Sequence, residues 1–359
     1  MIAARAVYHG KFSLILTSPD PVSTPFSRYF EGLSHVILKA VNSCNSTRQR
    51  RLLADLGLLG VAAVWGVTFS VVKEATAELP AFHFLAIRFA LAALVLVALN
   101  PRRFRLVGRK TGAAGPPGAG TSVGAARHAG VVIGAFLFGG YALQTLGLQT
   151  TTPSKAGFIT GLAVVIVPLI SALFLRDRLP GTAVAGVVLA TAGLGLLTLN
   201  GAGVGPVHGP LFRAGDLLVL GGALSFALHI IAVGKFSVHH DPVVLAAVQI
   251  AATSAASAIM AWVVEPPVAI PAIPNDVWWA IVLTGVFATS VAFLVQTTAQ
   301  RFTSSTHTAL IFTMEPVFAA TYSYVFLGEP LTLRGLAGGL LVLAGMLVAQ
   351  RNTRASAPH

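Results

Sequence analysis

Ten apolar runs recur along this chain, each about as long as the ~20 residues that carry an α-helix across a ~30 Å hydrocarbon layer. They fall at 53–72, 81–99, 129–148, 154–175, 181–199, 215–234, 243–264, 277–298, 305–327 and 331–350. Charged or proline-rich punctuation borders many of them: Pro101-Arg102-Arg103, Arg176-Asp177-Arg178, Glu265-Pro266-Pro267 and Glu329-Pro330. Only the break at 149–153 is short and uncharged. Of the 359 residues, 55% are hydrophobic and 10% charged, where a soluble domain carries about 25% charged residues. Such a chain cannot cover itself with polar surface. The expected fold class is an all-α integral membrane protein of ten transmembrane helices, with the lipid bilayer as its partner.

The net charge of +12 would suggest nucleic acid in a soluble protein. Here it follows topology. Basic residues concentrate in the cytoplasmic loops of membrane proteins. With the N-terminus inside, the tail contributes Arg5, Lys11, Arg28, Lys39, Arg48, Arg50 and Arg51. The loop after the second span adds Arg102, Arg103, Arg105, Arg109, Lys110 and Arg127, and Arg176, Arg178, Lys235, Arg301, Arg351 and Arg354 follow. Only Lys73, Lys155, Arg213 and Arg334 fall outside, and Arg88 lies within a span. Both termini are therefore expected in the cytoplasm, and no nucleic-acid partner is implied. A single cysteine, Cys44, leaves no intrachain disulfide framework and no Cys-based metal site. No cofactor is expected.

Residues 1–51 lack the pattern of the rest and are expected to form a disordered cytoplasmic tail. The Gly/Pro/Ala-rich stretch 111–123 reads as a loop. Beyond the tail the chain repeats itself. At an offset of 152, Leu143-Gln144-Thr145 meets Val295-Gln296-Thr297, Asp177 meets Glu329, Gly186 meets Gly338, and Ala192-Gly193 meets Ala344-Gly345. At an offset of 161, Asp55 meets Asp216 and Arg88 meets Gln249. The expected organisation is two five-helix repeats, 52–200 and 214–351. Five is odd, so the second copy enters the membrane upside down. Inverted repeats are typical of secondary transporters, with the site near the midplane between the halves. Gly157 and Gly161, and Gly335 and Gly339, are four apart. That spacing favours close helix packing, within the chain or, as the alternative, in a homo-oligomer.

Several stretches resemble the EamA-like, ten-helix branch of the drug/metabolite transporter superfamily. They are Trp65-Gly66, Phe84 with Arg88-Phe89, Ser154-Lys155-Ala156-Gly157-Phe158-Ile159-Thr160-Gly161, and Thr308-Ala309-Leu310-Ile311-Phe312-Thr313-Met314-Glu315-Pro316-Val317-Phe318-Ala319. Gly328-Glu329-Pro330-Leu331 also fits, although the family more often has a basic residue at the position of Pro330. The resemblance covers about 52–350. It implies a bacterial inner-membrane carrier, usually an exporter of amino acids, other metabolites or toxic compounds, and it names no single substrate.

Charge inside hydrocarbon is costly, about 2.5–3.5 kcal/mol for a central Arg or Asp on insertion scales, so intramembrane charges are the first functional candidates. Glu315 either couples proton movement to export or binds a cationic group. Its alternative role is structural, satisfying backbone groups freed by Pro316. Arg88 is either a clamp holding the second span or a partner for a substrate carboxylate. Gln144, Gln249 and Gln296 can line a polar cavity or link helices. Trp65, Phe69 and Tyr141 can stack on a substrate or pack the core. His83, His229 and His307 lie in or near spans and can carry protons, but they form no metal-ligand pattern. The chain has no Walker motif, no His-Glu-x-x-His and no Gly-x-Ser-x-Gly. The expected function is a secondary transporter that exports a small-molecule substrate (a small metabolite, amino acid or drug-like compound) by alternating access, not an enzyme. The alternatives are an uptake carrier and a non-transporting membrane protein.

Overall fold

The computed structural model describes residues 47–101, 104, 123–151, 153–174, 180–198, 214–326 and 332–350. Most of the expected tail, residues 111–122 of the expected loop, and the punctuation at 176–178 and 328–331 lie outside the described residues, as do the side chains of Phe69 and Lys155; Val123, the last residue of that loop, begins a helix. Among the described residues the secondary structure is entirely helical.

In chain order the elements are α1 (Thr47–Glu78), α2 (Ala81–Leu99), α3 (Val123–Leu148), α4a (Pro153–Gly161), α4b (Ala163–Phe174) and α5 (Gly181–Thr198). The second half follows with α6 (Ala214–Ser237), α7 (Pro242–Val264), α8a (Asn275–Gly285), α8b (Ala292–Ala299), α9a (Ser305–Phe312), α9b (Glu315–Phe326) and α10 (Leu333–Gln350). A π-helical turn, Val286–Val291, joins α8a to α8b. Eight of the resulting rods are long and apolar enough to cross a membrane, and two shorter apolar helices, Gly181–Leu196 and Leu333–Ala349, pack against each other. The family of apolar runs is thus present as helices. α1 extends beyond its run, with Lys73, Glu74 and Glu78 exposed at its far end.

Helix ends are set by local chemistry. At the start of α7 the Asp241 carboxylate accepts from the Val243 and Val244 N–H groups at 2.9 and 3.3 Å, and Pro242 occupies the first turn. An Asp cap followed by Pro is a favourable start because the missing proline N–H would have had no helical partner. α2 borrows its cap from another helix. Glu265, at the end of α7, accepts from Phe82 N–H at 2.8 Å and His83 N–H at 2.9 Å, and lies 2.7 Å from His83 Nδ1.

Two rods break at matching places. α4 is interrupted at Leu162 and α9 at Thr313-Met314, positions related by the repeat offset of 152. In α9 the cause is legible: a proline ring clashes with the carbonyl four residues back, and the residue four before Pro316 is Phe312, the last of α9a. In α4 no proline stands at the equivalent place. The Leu162 N–H is instead shared between the Phe158 and Ile159 carbonyls at 3.2 and 3.1 Å, a tightened turn just after Gly161.

Packing is reciprocal between the repeats. α2 lies on α7 and α5 on α10; α1 lies along α9 and α8 as α6 lies along α4 and α3. The core joins Phe84, Leu85 and Phe89 of α2, Leu137 of α3, Ile250 of α7, and Ile281 and Phe293 of the eighth rod. Leu94, Leu173, Trp262 and Trp279 point outward, which suits a hydrocarbon surround rather than water. The closest backbone approaches are not at the glycines singled out by spacing. A β-carbon on Gly157 would meet nothing within 4 Å, and one on Gly339 would meet Val317 at 3.7 Å. Gly335 lies in the first turn of α10, its N–H donating to Thr332 Oγ1 at 3.0 Å. Gly161 does face a tight contact, with Leu194 at 2.9 Å. A tight seam joins α5 and α10: β-carbons on Gly186, Gly193 and Gly345 would each lie 2.6 Å from a carbonyl oxygen of the facing helix.

Candidate functional site

Seven rings meet where α1, α2, α3, α6, α8b and α9a converge. Phe293 is the hub, with ring centroids at 5.6 Å to Trp65, 6.4 Å to Phe89, 6.5 Å to Tyr141 and 5.7 Å to His229. Trp65 also meets Phe312 at 5.0 Å, and Tyr141 meets Phe226 edge-on at 5.3 Å. Tilted and edge-to-face geometries are the favoured ones for aromatic pairs. The cluster draws on both repeats.

The π-helical turn holds the polar side of this cluster in place. Such turns shift the hydrogen-bond ladder by one residue and recur at functional sites. Here the Trp65 indole N–H donates to the Ala288 carbonyl at 2.8 Å. The Arg88 Nε–H donates to Thr289 Oγ1 at 2.9 Å, and the Thr289 hydroxyl in turn donates to the Thr284 carbonyl, also 2.9 Å away. Ser290 donates to the Ala92 carbonyl at 2.9 Å. One irregular turn in α8 therefore orients the key side chains of α1 and α2.

Arg88 is 2% exposed. Its guanidinium carbon lies 5.4 Å from the Phe89 ring centroid and 5.2 Å from that of Tyr141. Cation–π contacts of this kind contribute about 2 kcal/mol or more when desolvated, so the rings offset part of the cost of burying the charge. No carboxylate forms a salt bridge with Arg88 among the described residues.

Glu315 begins α9b and is half-buried. Helix N-termini carry partial positive charge, and discontinuous helices present such ends inside secondary transporters. α1 comes within backbone contact of this point: a β-carbon on Gly66 would lie 2.5 Å from the Glu315 carbonyl and 2.9 Å from the Ala319 nitrogen. Trp65, next to Gly66 on α1, is in the aromatic cluster.

The remaining sequence candidates separate. Gln249, fully buried in α7, bridges His229 Nε2 at 2.8 Å and Thr297 Oγ1 at 3.1 Å. Gln144 donates to Thr160 on α4a at 3.0 Å. Gln296 occupies the equivalent repeat position, but Phe312 stands where Thr160 would, so it finds no hydroxyl there. It donates instead to Gln300 Oε1 at 3.0 Å, and Gln300 donates to the Ile230 carbonyl at 2.9 Å. The Gln296 Oε1 atom is buried without a partner among the described residues. His307 is away from the cluster, 3.1 Å from Asp55 of α1. The repeat-equivalent acid, Asp216, accepts from Thr151 at 2.6 Å. His229, Phe293, Thr289 and Thr297 were not evident as a group from the sequence, because their association depends on which face each helix turns inward.

The EamA-like transporter family profile matches residues 52–199 and 213–350 of this chain. An uncharacterized transporter of Archaeoglobus fulgidus is 33% identical over 300 residues, covering 83% of this chain and 86% of that protein. The Bacillus subtilis uncharacterized transporters YvbV and YyaM are 28% and 24% identical, covering 86% and 81% of this chain and 93% and 92% of theirs. A solved crystal structure shares the fold with a TM-score of 0.67 at 22% identity, covering 84% of this chain and 99% of that one.

Proposed function

The chain belongs to the EamA-like transporter family, and from that premise we propose that it is a secondary transporter that exports a small metabolite, amino acid or drug-like compound by alternating access. In this reading ten helices cross the cytoplasmic membrane of a bacterial cell as two inverted five-helix repeats, 52–200 and 214–351, with both termini inside. The observation that carries the reading is the pair of helix interruptions at Leu162 and Thr313-Met314. Equivalent broken helices in two repeats are the feature that, in secondary transporters, brackets a midplane site. Glu315 stands at one of these breaks, beside an aromatic wall that also holds a buried cation.

The residues have distinct tasks in this proposal. Glu315 takes up either a proton or a cationic group of the substrate. Arg88, fixed through Nε by Thr289, directs the rest of its guanidinium toward an anionic or acceptor group. Trp65 and Tyr141 form the wall against which the apolar part of the substrate packs. Gln144, Gln249 and Gln296 are polar positions on three of the helices around it. Proton coupling follows from a single carboxylate serving both ligands in turn.

The test compares the metabolites released by cells with and without the protein, with and without a protonophore. At least one compound is expected to accumulate outside only when the protein is present, and the protonophore is expected to abolish that difference. An identical set of released compounds with and without the protein contradicts transport.

A further inference from the structure

The proton positions in the Gln249 relay follow from its far end. The Thr297 hydroxyl donates to the Phe293 carbonyl at 2.6 Å. A hydroxyl has one proton, so Thr297 Oγ1 can only accept from Gln249. The Gln249 amide nitrogen therefore faces Thr297, and its oxygen faces His229. That oxygen needs a donor. His229 must carry its proton on Nε2, and in the neutral ring Nδ1 is an acceptor. No hydrogen bond to Nδ1 is formed among the described residues, although His229 is 2% exposed. The ring stands edge-on to Phe293 at 5.7 Å, and Phe293 is the hub that also touches Trp65, Phe89 and Tyr141.

We infer that His229 Nδ1 is a substrate-recognition atom, accepting a hydrogen bond from an uncharged donor, a hydroxyl or ring N–H, on the apolar part of the transported compound. The inference rests on the transporter reading above and specifies what that site selects. A neutral imidazole acceptor beside the Phe293 ring gives no countercharge to an ammonium group, so the matching donor is neutral. Sites built to hydrogen-bond a substrate group reject analogues lacking it because their own polar atom is left unpaired. Gln249 and Thr297 are positioning residues: they fix the tautomer and do not touch the substrate.

Two measurements test this. In the first, cells carrying the wild type, His229→Phe or His229→Asn release their own metabolites, and the compounds released in excess of a vector control are identified. His229→Phe keeps the ring contact with Phe293 and removes the acceptor; His229→Asn restores an amide oxygen. Compounds bearing a hydroxyl or ring N–H are expected to fall roughly tenfold, equivalent to about 1.4 kcal/mol, in His229→Phe and to recover partly in His229→Asn. Unchanged release in His229→Phe overturns the inference and leaves transport standing. Equal loss in both variants overturns it in favour of a structural histidine. A wild type that releases nothing beyond the control refutes the transporter reading and this inference with it. In the second, nitrogen-15 spectra of the full-length purified protein report the His229 tautomer. An Nε2–H ring with an unprotonated Nδ1 is expected, and an Nδ1–H ring overturns the inference.

Discussion

Glu315→Gln is expected to lower export roughly ten- to a hundredfold while the protein accumulates in the membrane at its normal level. Hydrogen bonds to charged groups contribute about 1.5–3 kcal/mol, which sets that range. The substitution is informative because glutamine has nearly the same shape. If Glu315 acts only by ending a helix before Pro316, the amide serves as well and export is unchanged. The break itself does not need the charge: the proline clash with the Phe312 carbonyl is present in both proteins. A carboxylate that binds a proton or a cation cannot be replaced this way. The same variant is expected to lose whatever dependence of export on external pH the wild type has, measured as initial release rates across a pH series. Normal export at every pH removes Glu315 from the mechanism.

The second large effect comes from a methyl group. Gly66→Ala would place a β-carbon 2.5 Å from the Glu315 carbonyl and 2.9 Å from the Ala319 nitrogen. Both are backbone atoms of α9b, so no rotamer change relieves the clash, and the two helices must separate. Overpacking of this kind costs about 1–3 kcal/mol. Displacing α9b also moves Glu315 relative to Trp65 and Tyr141, so export is expected to fall along with stability. Gly60→Ala is the control on the same helix. Nothing lies within 4 Å of its β-carbon, and alanine favours a helix interior over glycine by about 0.5–1 kcal/mol. Unfolding of the purified proteins in a denaturing detergent series is expected to show Gly66→Ala destabilised and Gly60→Ala unchanged or slightly more stable. Equal stability of the two variants contradicts the close approach of α1 and α9b.

Much of the architecture follows directly from hydropathy. Apolar runs of membrane length, separated by charges, leave a chain few choices besides helices. Constant spacing between polar landmarks such as Asp55 and Asp216 then discloses the repeat. Interruptions inside the runs are a different matter. Leu162 is as apolar as its neighbours, and hydropathy carries no information about which carbonyl an N–H chooses. The π-helical turn at Val286–Val291 is invisible for the same reason, although it orients Trp65 and Arg88. Pro316 was the one local signal, and it marks the break in α9 through its own geometry.

The site was legible in its charges and obscure in its partners. Arg88 and Glu315 stand out because charge is rare in a span. The role of Phe293 as the hub does not, since phenylalanine is common there and only the rotation of α8b brings it between Trp65 and His229. Gln144 and Gln296 share a repeat position yet differ in bonding, because Thr160 and Phe312 differ. Symmetry in sequence therefore predicts matching places, and the side chains around them decide what those places do. The glycines follow the same rule: a four-residue spacing at Gly157 and Gly161 is a motif, while the facing helix determines whether it is used.

Alternating access requires that the two faces open in turn. Two side-chain links tie α1 to α9a and α6 to the chain leading into α4a: Asp55 with His307, and Asp216 with Thr151. These acids are repeat equivalents, so in an inverted arrangement the links lie toward opposite faces. The most direct test places cysteines at 55 and 307, or at 151 and 216, in a protein whose Cys44 is serine. Each pair is then joined with a short, reducible bifunctional thiol reagent while export is measured. Tying either pair is expected to stop export, and reduction is expected to restore it. Export continuing at the untied rate with both pairs joined would contradict alternating access of the two halves.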